Sequence, residues 1–157
     1  MRIVGIDPGT LRCGYGVVDA DGGEPRVVAF GVISGGRKAL AERLRIIYEG
    51  LCGVMEDFGP DVVAVEGAFY GKNARTALKI GEGRGVALVA AAGAGAELVE
   101  YAPAQVKKSV VGNGQAHKQQ VQEMVRTLLN LPEDEVKEDA ADALAIAICH
   151  CHRLGPV

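Results

Sequence analysis

Residues 2–10 read RIVGIDPGT: an apolar stretch, Ile3, Val4 and Ile6, that ends on one carboxylate, Asp7, and is stopped by Pro8 and Gly9. Proline has no backbone donor and glycine accepts turn dihedrals that other residues resist, so the ladder ends there. The stretch predicts a buried strand that delivers an acid to the lip of a sheet. A carboxylate in that place is costly to desolvate unless a proton, a cation or a hydrogen-bond donor meets it. The partner has to come from the rest of the chain.

Working outward, residues 14–20 (GYGVVDA) and 26–34 (RVVAFGVIS) read as strands joined by DGGEP with its Asp-Gly hairpin signal, so the chain opens as an antiparallel meander of three strands. Between Lys38 and Phe58 the apolar residues Leu40, Leu44, Ile47, Leu51, Met55 and Phe58 recur at helical spacing, and Gly59-Pro60 stops the helix. Residues 61–66 (DVVAVE) then repeat the opening design, a short apolar strand that ends on Glu66. A crossover helix between two such strands makes them parallel, which brings Asp7 and Glu66 out at one edge, where open sheets bind ligands.

Residues 73–95 are rich in Ala and Gly and read as a helix whose small positions, Ala77, Gly81, Gly85 and Ala92, imply close approach of another backbone in the core or across a dimer interface. Residues 97–102 (ELVEYA) supply a fifth strand, and Pro103 begins a loop. Val121, Met124, Val125, Leu128 and Leu129 mark a further helix stopped by Pro132. A last helix starts near Glu138 and turns Ala141, Leu144, Ala145 and Ile148 inward. No internal repeat or linker appears, so residues 1–157 are expected to form a single α/β domain.

With 48% apolar and 24% charged residues, the composition is that of a globular protein, and no apolar run reaches the roughly 18 residues of a membrane span. The start lacks signal-peptide organisation, so a cytoplasmic setting with Cys13, Cys52, Cys149 and Cys151 reduced is expected. The CHCH run at 149–152 lacks the paired spacing of structural zinc sites and reads as a continuation of the last helix. The net charge of −3 hides a segregation: Lys72 to Arg126 carries eight basic and four acidic residues, while Glu133 to Asp142 holds six acids against Lys137. The first stretch suits phosphates and the second cations, although either can also be a solvated face.

Two of those acids, Asp139 and Asp142, stand three apart at the head of the last helix and so share a face. Attraction to the helix N-terminus accounts for one of them better than for both. With Asp7 and Glu66 they make a four-carboxylate set without histidine or thiolate, the donor chemistry of a hard divalent cation. Phe69 and Tyr70, in a chain with 4% aromatic residues, follow Glu66 in a glycine-bounded loop and precede Lys72, Asn73 and Arg75. Packing in the core and stacking on bases, with phosphate anchors behind, are both open for this pair. Lys79 and Lys108 extend the same basic run.

Order and spacing together resemble a known family. GIDPGT at 5–10, VEG at 65–67, KNARTALKIGEGRG at 72–85, VVGNGQAHK at 110–118 and DAADALAIA at 139–147 are similar to the RuvC-type Holliday junction resolvases over nearly the whole chain. The resemblance implies a ribonuclease H-like fold, a five-stranded mixed sheet flanked by helices on both faces. It implies that Asp7, Glu66, Asp139 and Asp142 bind metal, that Lys107 and Lys118 stand near the scissile phosphate, and that Phe69 stacks on junction bases. Two Mg2+ or Mn2+ ions per site would then support phosphodiester hydrolysis leaving a 5′ phosphate. Four-way junction DNA and a branch-migration helicase complex are the implied partners. Symmetric cutting of two strands is most simply met by a homodimer, with Ala77, Gly81, Gly85, Leu88 and Ala92 as its expected interface.

Two other classes are weighed. An actin-like ATPase or sugar kinase shares a GIDPGT-like loop, but it needs two lobes and a second phosphate loop that 157 residues do not hold. An architectural junction-binding protein that no longer cuts would have no use for the full set of four acids.

Overall fold

Five strands, β1 (Arg2–Asp7), β2 (Arg12–Asp21), β3 (Glu24–Ser34), β4 (Val62–Glu66) and β5 (Glu97–Tyr101), form one sheet in the order β3-β2-β1-β4-β5. They belong to a computed structural model that describes residues 1–22, 24–67, 73–132 and 134–155. The first three strands are antiparallel and β4 and β5 run parallel to β1, as the meander and crossover predict. β2 and β3 extend beyond their expected ends because Asp21 pairs with Glu24 and the ladder runs to the turn itself. β4 is buried from Val62 to Val65, the signature of a parallel strand covered on both faces.

The helices are α1 (Leu40–Phe58), α2 (Ala74–Gly93), α3 (Pro103–Val111), α4 (Lys118–Leu129) and α5 (Glu138–Leu154). α1 and α2 cover one face of the sheet, where Ile47, Leu51, Met55 and Ala87 pack with Val4, Ile6, Val63 and Val65. α3, α4 and α5 cover the other, where Val106, Val125 and Leu144 pack with Ile3, Val18, Val62 and Ala64.

Three expectations are corrected. Pro103 opens a helix rather than a loop: its missing N–H and fixed φ suit a first helical turn, and Gln105 Oε1 accepts from the Ala102 N–H at 2.9 Å. Leu40, Met124 and Leu128 are exposed, because α1 turns Ile47, Leu51, Val54 and Met55 inward and α4 turns Val121, Gln122, Val125 and Leu129 inward. Within the chain, the close backbone approach on α2 falls at Gly83 and not at Gly81 or Gly85, around which the space is open.

α5 lies between the sheet and α3 and α4, so its residues from Ala143 to Cys151 are all buried. The CHCH run continues this helix, with Cys149 and Cys151 inside and His150 Nδ1 2.7 Å from Tyr101 Oη. What lets α5 settle so closely is a floor of glycines. Strand alternation turns Ile3, Gly5 and Asp7 of β1 toward α5, and Gly14, Gly16 and Val18 of β2 beside them. A Cβ on Gly5 would lie 2.8 Å from the Ala147 nitrogen, and one on Gly16 2.9 Å from the Leu144 nitrogen. At Gly5, Gly14 and Gly16 only bare backbone fits beneath the helix.

Candidate active site

The alternation that buries Val4 and Ile6 against α1 and α2 places Asp7 on the opposite face, toward α5. In β4 it does the same: Val63 and Val65 face α1 and α2, so Glu66 shares the face of Asp7. Ile6 pairs with Val65, so the two acids follow at the same edge of adjacent parallel strands. The turn after Asp7 is held from both sides. Arg43 Nε donates to the Thr10 carbonyl at 2.9 Å, and α2 presses so near that a Cβ on Gly83 would lie 3.0 Å from the Gly9 backbone.

α5 brings Asp139 and Asp142 over this edge. A cleft of about 340 Å³ is lined by Asp7, Glu66, Lys107, Lys118 and Asp142, with Pro103, Val106, Val121, Ala145 and Ile146 as its apolar walls. Helix α3, unforeseen in the sequence, supplies Lys107 to it. Lys118, the first residue of α4, donates to Asp142 Oδ2 at 2.8 Å and lies 3.8 Å from Glu138. Gln122, one turn further on, donates through Nε2 to Asp142 Oδ1 at 3.2 Å. Arg12 Nε meets Asp139 Oδ2 at 3.1 Å.

The electrostatics follow from crowding. Desolvation, then the charges of Asp142, Glu66 and Asp139, push Asp7 up to about 8, against the pull of Lys118. Glu66 is also raised, first by burial and then by Asp142, with Lys107 and Lys118 opposing. Lys118 is raised chiefly by its hydrogen bond to Asp142.

Among the described residues, no three His, Cys, Asp or Glu side chains stand close enough, as placed, to hold one ion. Asp139 is turned to Arg12, and Asp142 to Lys118 and Gln122. The donor set nevertheless fits a divalent cation: it is all carboxylate oxygen, and the charges of Asp142, Glu66 and Asp139 that crowd the buried Asp7 are ones a bound cation would offset.

Of the other expected contacts, Asn73 caps α2, its Oδ1 accepting from the Thr76 N–H at 2.9 Å. Arg75, Lys79 and Lys108 are exposed and stand outside the cleft lining. Phe69, Tyr70 and Lys72 lie outside the described residues. Ala77, Gly81 and Ala92 are exposed and Gly85 and Leu88 half-buried; Gly81 and Gly85 line a shallow apolar groove with Leu44, Tyr48, Val86 and Val89. Sequence reasoning missed Arg12, Gln122 and the glycine floor. The every-other-residue spacing of Gly14 and Gly16 on one strand face was the available signal for the last.

A mixed sheet of this order, with helices on both faces, is the ribonuclease H-like fold. The yeast mitochondrial Holliday junction resolvase Ydc2 shares the fold, with a TM-score of 0.64 at 16% identity over 96% of this chain and 78% of that one. Residues 3–150 match the family model described as crossover junction endodeoxyribonuclease RuvC, and the chain belongs to that family. The RuvC of Syntrophotalea carbinolica is 52% identical over 153 residues, 97% of this chain and 94% of its own length. That of Caldanaerobacter subterraneus subsp. tengcongensis is 48% identical over 155 residues, 97% and 93% of the two chains. The structure of Thermus thermophilus RuvC in complex with Holliday junction substrate superposes with a TM-score of 0.88 at 35% identity, over 100% of this chain and 99% of that one. Membership makes this a divalent-metal-dependent crossover junction endodeoxyribonuclease.

Proposed function

We propose that this chain resolves four-way DNA junctions in recombination and repair by paired, symmetric nicks, each leaving a 5′ phosphate and a 3′ hydroxyl. The observation that carries the reading is the convergence of Asp7, Glu66 and Asp142 with Lys107 and Lys118 on one cleft, in a chain of the RuvC family. A relative of 35% identity is seen with a Holliday junction substrate.

In this reading residues 1–157 act as one nuclease domain. Asp7, Glu66, Asp139 and Asp142 hold two divalent ions, Mg2+ or Mn2+. Bound there, such ions would supply activation of a water and charge stabilisation at the leaving 3′ oxygen. Asp7 and Glu66 are fixed by strand ends, so their oxygens are aimed by the sheet, and the α5 acids close over them. Lys107 and Lys118 sit where charge builds on the phosphate and offset it. Asn73, Arg75, Lys79 and Lys108 follow the DNA backbone outside the cleft. Phe69, Tyr70 and Lys72, just past Glu66, are assigned to base stacking and phosphate contact.

A two-fold dimer supplies the second cut. Its assigned surface is α2 through Ala77, Gly81, Gly85, Leu88 and Ala92, where Leu78 at 65% and Val89 at 60% exposure leave apolar surface to cover. A branch-migration helicase complex is the proposed partner, and the cytoplasm the proposed setting. No helix among the described residues is long and apolar enough to cross a membrane.

The test is incubation of the full chain with a synthetic four-way junction and a matched linear duplex, with Mg2+ or Mn2+ and without nucleotide. Paired nicks at symmetric positions of the junction, with the duplex spared, are expected. Equal cutting of both substrates, or binding without cutting under every metal tried, would refute the reading.

A further inference from the structure

Gln122 sits where an amphipathic helix ordinarily places an apolar side chain. It is on the inward face of α4 with Val121, Val125 and Leu129, and is 5% exposed. Among the described residues, the buried polar side chains are Gln122 and His150, and His150 is matched by Tyr101 Oη at 2.7 Å. A buried amide without partners costs about 1–3 kcal/mol, so such a residue is retained inside only where its hydrogen bonds matter. The partner of Gln122 is Asp142: a carboxylate can only accept, so the amide Nε2 donates to Oδ1, at 3.2 Å.

Lys118, four residues earlier on the same helix, holds the other oxygen, Oδ2, at 2.8 Å. The two donors differ in kind. Lys118 is a cation half exposed at the mouth of the cleft, and its charge competes with any other cation for Asp142. Gln122 is neutral and enclosed, so it fixes the carboxylate rotamer without cancelling its charge.

We infer that Gln122 is a positioning residue: from outside the cleft lining it anchors Oδ1 of Asp142 without charge, so that Oδ2, held here by Lys118, is the oxygen presented when a divalent cation displaces the lysine. The inference rests on the proposed role of Asp142 in metal binding. Hydrogen-bond donors behind metal-binding side chains typically contribute tenfold to a hundredfold in metal affinity or activity.

The test is Gln122→Met, which keeps an unbranched chain of similar length and removes the donor, with Gln122→Leu as a second variant should the first fold poorly. Mn2+ binding to the full-length protein is measured by electron paramagnetic resonance of the free ion. Beside it stand the thermal midpoint, junction affinity in EDTA, and kcat and KM for a four-way junction. The expected result is a tenfold or greater rise in half-saturating Mn2+ and a matching fall in kcat at limiting metal. Junction affinity in EDTA and KM stay within twofold.

A variant that only loses thermal stability, with Mn2+ binding as in wild type, overturns the inference and reduces Gln122 to a core residue. Wild type and Asp142→Asn, run alongside, separate this failure from that of the underlying reading. If Asp142→Asn binds Mn2+ and cuts like wild type, the role given to Asp142 falls and the inference with it. If Asp142→Asn is impaired and Gln122→Met is not, only the inference falls.

Discussion

Gly14 of β2 lies directly beneath Asp139 of α5, so that a Cβ at Gly14 would run into the Asp139 carbonyl and come within 3.2 Å of the Ala140 nitrogen. Gly14 is also the residue paired with Asp7 across the antiparallel ladder. One missing side chain therefore sets how near the helix acids come to the strand acid. Gly14→Ala is expected to destabilise the protein by about 1–3 kcal/mol through overpacking. It should lower junction cleavage more than tenfold while leaving junction binding largely intact. Denaturant midpoints and single-turnover cleavage measure the two effects.

Asp7 makes a second prediction, about pH. Its folded-state value of about 8 lies above the ordinary 3.8, so the folded protein holds more protons than the unfolded chain between those values. The contribution of Asp7 to stability in EDTA must then fall as pH rises through that window, and level off above it. Asp7→Asn removes the buried charge. The variant is expected to be more stable than wild type, by a margin that widens from pH 4 to pH 8 by up to about 1 kcal/mol per pH unit. Chemical denaturation at pH 4, 6 and 8 checks it; a margin that does not change with pH would contradict the assignment.

The same proton predicts a signature of metal uptake. A carboxyl raised to about 8 must release its proton to become a ligand. Titration calorimetry with Mn2+ at pH 7, in two buffers of different ionisation heat, should show close to one proton released per site, falling toward none at pH 9. At a hundredfold excess over its dissociation constant the ion should stabilise the fold by about 2.7 kcal/mol.

The meander, the crossover and the two strand-terminal acids were legible in the sequence, because strands that end on an acid followed by Gly or Pro carry their own boundary signal. Helix α3 was not: Pro103 breaks a strand and begins a helix equally well, and the capping Gln105 looks like any polar residue. Gly5, Gly14 and Gly16 read as weak strand formers because their reason lies across the layer, in the backbone of α5. Gln122 was hidden for a related cause. A glutamine on an amphipathic helix is ordinarily solvent-facing, and only the position of Asp142 explains its burial.

Lys107 and Lys118 separate by what each touches. Lys107 lines the cleft and opposes the raised Glu66, whereas Lys118 is bound to Asp142. Lys107→Ala is expected to reduce the slope of log affinity against log salt for the junction by about 0.9, the value for one phosphate contact. Lys118→Ala should reduce that slope less in EDTA, since its charge is already engaged. Fluorescence anisotropy across a salt series distinguishes them.

Asp7, at the end of β1, is the acid around which the proposed cleavage is built. The most direct measurement is the rate at which Asp7→Asn nicks a synthetic four-way junction in Mg2+ or Mn2+, with binding of the same junction measured in parallel. Cleavage is expected to fall by at least a thousandfold with junction affinity retained. A variant that cuts at the wild-type rate would contradict it.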